Sequence, residues 1–243
     1  MKAQPTLTPE QKEMVESVLG AHMAGPTFIK VDIPTKCKWY NINTLEIRPF
    51  TFEDEKEVLN PVNKDRNFLN LLLSKCVKGI DIQDLFMIDR DFLAYKIKEI
   101  STGSEVRMEV TCESCSKKQV LEVDLSVLNT KPFEKELPME TQLPHLNKSI
   151  KLMPPRVKEE DFLTNFQLLT SNLWRFVKEI DGVSDETVIS AIVEKLPVAD
   201  IHFILKTIGL KDFGLQTGLN YVCACQHETE VEVSLTENFF GVT

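Results

Sequence analysis

The sequence predicts an α+β fold: a helical layer, short antiparallel strands and two β-hairpins whose turns carry cysteines. Three observations lead to this prediction. Apolar residues recur at helical spacing in several segments, and other short segments alternate apolar with polar residues. Hydrophobic residues make up 42% of the chain and charged residues 27%, which is the balance of a globular protein with a core.

Length and charge narrow the classes of protein to consider. The chain has 243 residues, enough for one large domain or two small ones. Its net charge of −9 gives a surface that repels phosphate and disfavours general nucleic-acid binding. No apolar run approaches the ~18 residues of a membrane span, and the first residues lack the apolar region of a signal peptide. We therefore expect synthesis and use in a reducing cytosol.

The first part of the chain predicts an arm followed by strands and helices. Residues 1–26 are polar and form the predicted N-terminal arm, with a short helix capped by Thr8. Residues 27–104 predict a β-hairpin plus a helical region. Within it we expect strands at 28–33 and 43–50 around an exposed Trp39–Tyr40 tip, then helices opened by Thr51, over 67–78 and over 82–100.

Residues 105–128 predict the first cysteine hairpin. Two alternating segments, 105–110 and 119–125, flank a turn that contains Cys112 and Cys115. Residues 129–218 then predict a linker and helical region. Its expected parts are a Pro- and Lys-rich linker at 130–148, a strand at 150–153, and helices over 158–179, from Ser184 and over 200–209.

The plan of the first hairpin recurs in residues 219–243, which predict a second cysteine hairpin and a C-terminal tail. Strands at 219–222 and 229–235 flank a turn with Cys223, Cys225 and His227. This is the only internal repeat found in the sequence.

The two cysteine turns suggest one shared metal site. Structural zinc takes four thiolate or imidazole ligands in a tetrahedron, and a CxxC turn supplies two of them. Five residues are candidate ligands, of which at most four would bind the metal: Cys112, Cys115, Cys223, Cys225 and His227. The turns are about 108 residues apart, against ~15–20 in a compact zinc ribbon, so the intervening helices would be an insertion.

Other uses of the cysteines remain open. The two turns can also lie apart, with thiols that merely line them. Redox use of Cys112 and Cys115 is disfavoured because it needs a helix N-terminus in a βαβ pattern, whereas this pair lies between strands. Cys37 and Cys76 stand alone, and the apolar surroundings of Cys76 predict a buried structural thiol.

No catalytic residue is predicted. The sequence contains no phosphate-binding loop, GxGxxG turn, HExxH helix or GxSxG elbow. Asp89, Arg90 and Asp91 are interpreted as an ion pair that organises a helix, and His202 as a packed or surface histidine. Four protein ligands on zinc would also leave no position for a reactive water. We therefore expect no enzyme and no small-molecule substrate.

The ordered motifs resemble the baseplate hub subunit and hub assembly family of T-even-like contractile-tailed bacteriophages. The matching segments span about residues 28–240 and are LEIRPFT (45–51), DRDFL (89–93), STG (101–103), VTCESC (110–115), CQHE (225–228) and NFF (238–240). In that family the second turn commonly reads CxxC. Here Cys225 takes the place of its second cysteine and Cys223 is displaced by one residue, which leaves the fourth ligand open among Cys223, Cys225 and His227.

The resemblance implies a structural or assembly protein of the phage tail that contacts other baseplate or hub proteins in the host cytoplasm or virion. The alternative is a zinc-ribbon adaptor for nucleic acid or transcription machinery. That class needs basic and aromatic residues around the turns. Lys117 and Lys118 are the only such pair, while Glu228, Glu230 and Glu232 line the second hairpin. The candidate surfaces for partners are the arm, the Trp39–Tyr40 tip, the linker and Phe239–Phe240. For Phe239–Phe240 the favoured interpretation is that they close the core, and docking on a neighbour is the alternative.

Overall fold

A computed structural model of the protein describes residues 7–19, 27–60, 62 and 67–234. Within these ranges the chain forms short helices and antiparallel strands, which confirms the α+β prediction. The helices are α1 (Pro9–Leu19), α2 (Phe52–Val58), α3 (Phe68–Cys76), α4 (Met87–Thr102), α5 (Glu160–Thr164), α6 (Phe166–Asn172), α7 (Glu186–Val193) and α8 (Val198–Ile208). The strands are β1 (Ile29–Val31), β2 (Leu45–Ile47), β3 (Val77–Lys78), β4 (Glu105–Thr111), β5 (Lys118–Asp124), β6 (Thr130–Lys131), β7 (Met139–Gln142), β8 (Ser149–Leu152), β9 (Val177–Ile180), β10 (Gly214–Leu215), β11 (Gly218–Val222) and β12 (Glu228–Glu232).

The first core lies between helices α2 to α4 and the sheet β1–β2–β3. The sheet is antiparallel and pairs Ile29 with Ile47. Thr51 begins α2 as predicted: its hydroxyl accepts the Asp54 N–H, and the Asp54 carboxylate accepts the Thr51 N–H at 2.8 Å. This reciprocal capping fixes where the chain turns from β2 into the helical layer.

The predicted exposed tip at Trp39–Tyr40 is wrong. The Tyr40 hydroxyl donates to the fully buried Asp89 carboxylate at 2.5 Å and accepts the Phe86 N–H at 2.9 Å. Trp39 packs against the second core. The segment is drawn inward because the buried Asp89 needs hydrogen-bond donors, which Tyr40 and Thr35 supply.

The second core is formed by the antiparallel sheet β7–β8–β9 with α7 and α8. Asp200 at the start of α8 is fully buried and accepts the N–H groups of His145 and Leu146. This carboxylate therefore ties the turn between β7 and β8, part of the predicted linker at 130–148, to the helical layer.

The prediction of one continuous helix over 158–179 is wrong. The helix breaks at Asn165, where the backbone is extended. The Asn165 side chain accepts the N–H groups of Gln167 and Leu168 and so caps the start of α6. The helical segment ends before Val177, which enters β9 and pairs with Leu152 of β8. The helix predicted from Ser184 is present as α7, but Asp185 is its N-cap.

The two predicted cysteine hairpins are present as β4–β5 and β11–β12. We call them, with their turns, the cysteine-hairpin module (105–124 and 218–232). A small third core joins them and contains four buried residues: Val110, Cys112, Tyr221 and Cys223. Leu219 and Val233 pack the second hairpin and its end against the first core, and two further contacts hold this part of the chain to the remainder of the fold. Strand β10 pairs with β6, and the Tyr95 hydroxyl of α4 donates to the Val233 carbonyl.

Candidate metal centre

The first cysteine turn is closed by backbone hydrogen bonds on both sides of the CxxC motif. The Cys112 N–H donates to the Lys117 carbonyl at 3.0 Å, and the Ser116 N–H donates to the Cys112 carbonyl at 2.8 Å. Ser116 has a φ of 57°, in the left-handed region that a non-glycine residue seldom adopts. This conformation reverses the chain directly after Cys115 and keeps both sulfurs on one side of the turn.

The second turn reaches a similar result with one residue fewer. The Cys223 N–H donates to the His227 carbonyl at 2.9 Å, and the Gln226 N–H donates to the Cys223 carbonyl at 2.8 Å. Gln226 has a φ of 66° and follows Cys225 as Ser116 follows Cys115. In both turns a left-handed residue directly after the second cysteine reverses the chain.

The structure brings four of the five predicted ligand residues together. The sulfurs of Cys112, Cys115, Cys223 and Cys225 all lie within 4.8 Å of one another. Two separations across the hairpins, Cys112 to Cys225 and Cys115 to Cys223, are 3.7 Å. His227 lies outside this group, and its backbone carbonyl closes the turn. Cys112 and Cys223 are buried, whereas Cys115 and Cys225 face the surface.

These distances fit a tetrahedral thiolate site. A Zn–S bond of about 2.3 Å places the corners of a tetrahedron about 3.8 Å apart, close to the two 3.7 Å separations. Four soft sulfur ligands favour zinc over the oxygen-seeking Mg²⁺ or Ca²⁺. A metal held by all four sulfurs would have no free coordination position, which is the arrangement of a structural site.

The thiols differ in how readily they lose a proton. Hydrogen bonding, above all from the Cys225 N–H, lowers the pKa of Cys223 to about 6. At Cys115 the Lys117 N–H also lowers the pKa, but hydrogen bonding with the other thiols and desolvation outweigh it and raise the value to about 11. Four thiolates this close together repel one another when no cation is present, which favours the protonated thiols. A bound metal ion supplies the opposing positive charge and takes its sulfur ligands in the deprotonated form.

Two residues that the sequence interpretation did not single out lie beside the sulfurs. Gln119 of β5 places its amide nitrogen 4.0 Å from the Cys223 sulfur, and the Tyr221 hydroxyl donates to the Gln119 amide oxygen. The alternation of the hairpin strands puts both side chains on the inward face, as it does for Leu121. This alternation was the available signal, but it does not say which inward residues reach a sulfur.

The surroundings of the turns have little positive charge. Lys118 pairs with Glu109 at 2.7 Å, and Glu228, Glu230 and Glu232 are exposed on the second hairpin. The CxxC pair lies between two strands, as the sequence predicted, and therefore lacks the helix that lowers thiol pKa in redox proteins. Neither observation favours nucleic-acid binding or thiol redox chemistry.

The other titratable residues noted in the sequence serve the fold. Arg90 is buried and pairs with Asp91 at 2.7 Å and with Glu160 at 2.6 Å, joining α4 to α5. His145 and His202 are exposed and lie away from the four sulfurs. His22 and the Phe239–Phe240 pair fall outside the described residues. None of the helices in the described ranges is both long and apolar enough to cross a membrane.

Comparison with known proteins gives one match. The family model described as T4 bacteriophage base plate protein matches residues 27–241, a range that includes both core regions and the whole cysteine-hairpin module. Helix α1 lies outside the match. No match was found among curated proteins or among solved structures.

Proposed function

Because this chain belongs to the T4 bacteriophage base plate protein family, we propose that it is a structural or assembly component of the baseplate hub that acts through contacts with other baseplate or hub proteins. The observation that carries this proposal is the family match over residues 27–241. It supports a structural role in the phage baseplate, and the place in the hub is our extension of it. Assembly would take place in the host cytoplasm, with the tail baseplate as the destination.

We further propose one structural zinc ion, held by Cys112, Cys115, Cys223 and Cys225. The mutual distances of the four sulfurs support this, since they suit a tetrahedron with Zn–S bonds of ordinary length. The metal would join hairpins that the chain places more than 100 residues apart. The protein would work without catalysis, because four protein ligands leave no position for a water on the metal.

The N-terminal arm is a contact surface for such a role. Every residue of α1 whose side chain is described is exposed, and Met14 and Val18 are 67% and 79% exposed on one side of the helix. Glu16 lies on the opposite side, whereas Glu10 precedes Met14 by one turn on the same side. A helix of this kind gains little from the protein's own core and fits an apolar groove on a neighbouring hub protein.

Metal content tests the zinc proposal. Mass spectrometry of the purified protein under native conditions should find one zinc per chain, and Cys112→Ser/Cys115→Ser should remove it. A Cys37→Ser variant is the matched control, because that thiol lies outside the cluster and its loss should leave the metal in place. A wild-type protein purified with zinc in the buffer and still free of metal would overturn the proposal.

Co-purification tests the place in the hub. The full chain should form a stable complex with at least one baseplate or hub protein of the same phage when the two are produced together. Met14→Ser/Val18→Ser should weaken that complex without changing the free energy of unfolding, since both side chains are exposed. Failure to bind any of these proteins would refute the hub assignment, and salt-sensitive DNA binding would favour the adaptor alternative instead.

A further inference from the structure

A short hydrogen-bonded chain leads from Tyr221 to one of the four sulfurs. The Tyr221 hydroxyl donates to the amide oxygen of Gln119, and the amide nitrogen of Gln119 lies 4.0 Å from the sulfur of Cys223. Tyr221 and Cys223 are both buried, at 9% and 2% exposure. Water therefore has little access to replace the amide at this sulfur.

The orientation of the Gln119 amide follows from its two neighbours. A thiolate at Cys223 accepts hydrogen bonds and cannot face the amide oxygen favourably. The Tyr221 hydroxyl meets that oxygen from the other side and holds the amide with its N–H group toward the sulfur. One residue thus supplies the donor while the other fixes the direction in which it points.

The contact also crosses the boundary between the hairpins. Gln119 pairs with Val110 within the first hairpin, whereas Tyr221 pairs with Thr229 within the second. The hydroxyl–amide bond joins positions 102 residues apart in the sequence. It therefore sets how β5 and β11 approach each other at the point where the four sulfurs converge.

We propose that Gln119 and Tyr221 are positioning residues of the metal centre, and that the Gln119 amide, held by Tyr221, strengthens metal binding through the Cys223 sulfur. This inference rests on the proposed metal site. Four thiolates carry more negative charge than a divalent metal neutralises, so a donor to one sulfur stabilises the loaded site. Partners outside the ligand set commonly change metal affinity by about 10–100-fold.

Zinc affinity of the full chain, measured by competition with a chromogenic chelator, tests the proposal. Gln119→Leu should weaken binding by about 10–100-fold because the donor is lost. Tyr221→Phe should weaken it by a smaller factor, since the amide remains but is no longer held. Tyr221→Phe keeps the ring that fills the third core, so this variant retains the packing of the module.

Thr229→Val is the matched control in the same hairpin. The Thr229 hydroxyl is buried across from Tyr221 and has no hydrogen-bond partner within the described part of the chain. Its replacement by an isosteric methyl group should leave zinc affinity unchanged. If zinc affinity instead falls by a similar factor in all three variants, it responds to any change in this core, which would count against a specific role for Gln119.

Cobalt substitution gives a readout that a purely structural role would not move. In the Co²⁺ protein, Gln119→Leu should shift the sulfur-to-cobalt charge-transfer band to lower energy, because the sulfur loses a hydrogen bond. Unchanged zinc affinity together with an unchanged cobalt spectrum would overturn the inference. A wild-type chain that binds neither metal would overturn the proposed zinc site instead, so the two failures are distinguishable.

Discussion

The two large cores and the cysteine-hairpin module are stabilised in different ways. The large cores bury long apolar side chains from several helices and sheets, among them Leu93, Ile97 and Ile150, each 0% exposed. The module buries six residues: Val106 and Val123 belong to the first large core, and the other four, two of them cysteines, form the small third core. Since burial of each large apolar side chain contributes about 1.5–3 kcal/mol, the large cores gain most from apolar burial, whereas the module would gain most from the cross-link that the proposed zinc provides.

Surface charges do not make up this difference. Arg107 and Glu122 pair across β4 and β5 at 2.9 Å, but their side chains are 78% and 69% exposed. Exposed pairs of this kind contribute about 0–1 kcal/mol. A two-stranded hairpin is marginal on its own, so the proposed zinc, held by the four sulfurs, would be a main source of order in the module.

Removal of the proposed zinc should separate the two regions most clearly. We expect a strong chelator to lower amide-exchange protection in β4, β5, β11 and β12 by on the order of a thousandfold, because zinc binding contributes several kcal/mol. Helix α4 and strand β8 should keep their protection. Hydrogen exchange followed by mass spectrometry measures both. Equal loss throughout the chain would show that module and cores unfold as one unit.

A cavity in a large core should lower the stability of the cores and leave metal binding by the module unchanged. Leu93→Ala should lower the free energy of unfolding by about 2–5 kcal/mol, since Leu93 is fully buried, while the folded variant keeps its metal. Val120→Ala on the exposed face of the module, where Val120 is 65% exposed, is the control and should change stability by less than about 0.5 kcal/mol. Urea unfolding with metal analysis compares them. Loss of metal from folded Leu93→Ala would contradict independence of the two regions.

The hydrogen-bonded carboxylate of Asp89 should give the first core a pH dependence. Burial raises the pKa of Asp89 to about 6, whereas an unfolded aspartate titrates near 3.9. The folded state binds the proton more tightly, so the stabilising contribution is complete below about pH 4 and is lost as the pH rises through 6. Asp89→Asn removes this titration.

The difference in unfolding free energy between wild type and Asp89→Asn should therefore change by on the order of 2–3 kcal/mol between pH 4 and 7. Chemical denaturation at a series of pH values measures it, and loss of metal at acid pH is shared by both proteins and cancels. Tyr40→Phe keeps the carboxylate but removes a hydrogen bond that lowers its pKa, so the pH dependence should persist and extend to higher pH. Parallel curves for wild type and Asp89→Asn would refute the assignment.

The smallest expected effect concerns the turn of the first cysteine hairpin. Ser116→Gly should raise stability by about 0.5–1 kcal/mol, because glycine adopts the left-handed conformation at φ 57° without strain. The same change at Ser190, inside α7, should lower stability by a similar amount. Thermal unfolding of the two variants gives the signs. A destabilised Ser116→Gly protein would mean that the serine side chain itself supports the turn.

The sequence predicted best those parts of the fold that depend on local pattern. The alternation on either side of Cys112–Cys115 and of Cys223–Cys225 predicted both hairpins, and the capping residue Thr51 predicted the start of α2. The repeat of the hairpin plan led to a shared site as a hypothesis. The sequence left the ligand set open, because the spacing of Cys223, Cys225 and His227 does not say which atoms converge.

The features that the sequence did not predict depend on contacts between distant residues. Tyr40 and Asp89 are 49 positions apart, and no local pattern marks a tyrosine that will bind a buried carboxylate. Val177 continues the helical spacing of the apolar residues before it, yet it pairs with β8 and belongs to the sheet. Gln119 has the alternation of an ordinary strand residue, so its contact with the Cys223 sulfur emerges only when the hairpins meet.

The separation of the two cysteine turns also orders events during synthesis. Cys115 leaves the ribosome 108 residues before Cys223, and the residues of β7 to β9 and of α5 to α8 are made in between. Most residues of the two large cores are therefore made before Cys223, although Val233 of the first core follows it. Metal capture by all four sulfurs would then be a late step, because the second thiol pair is made only after the intervening residues.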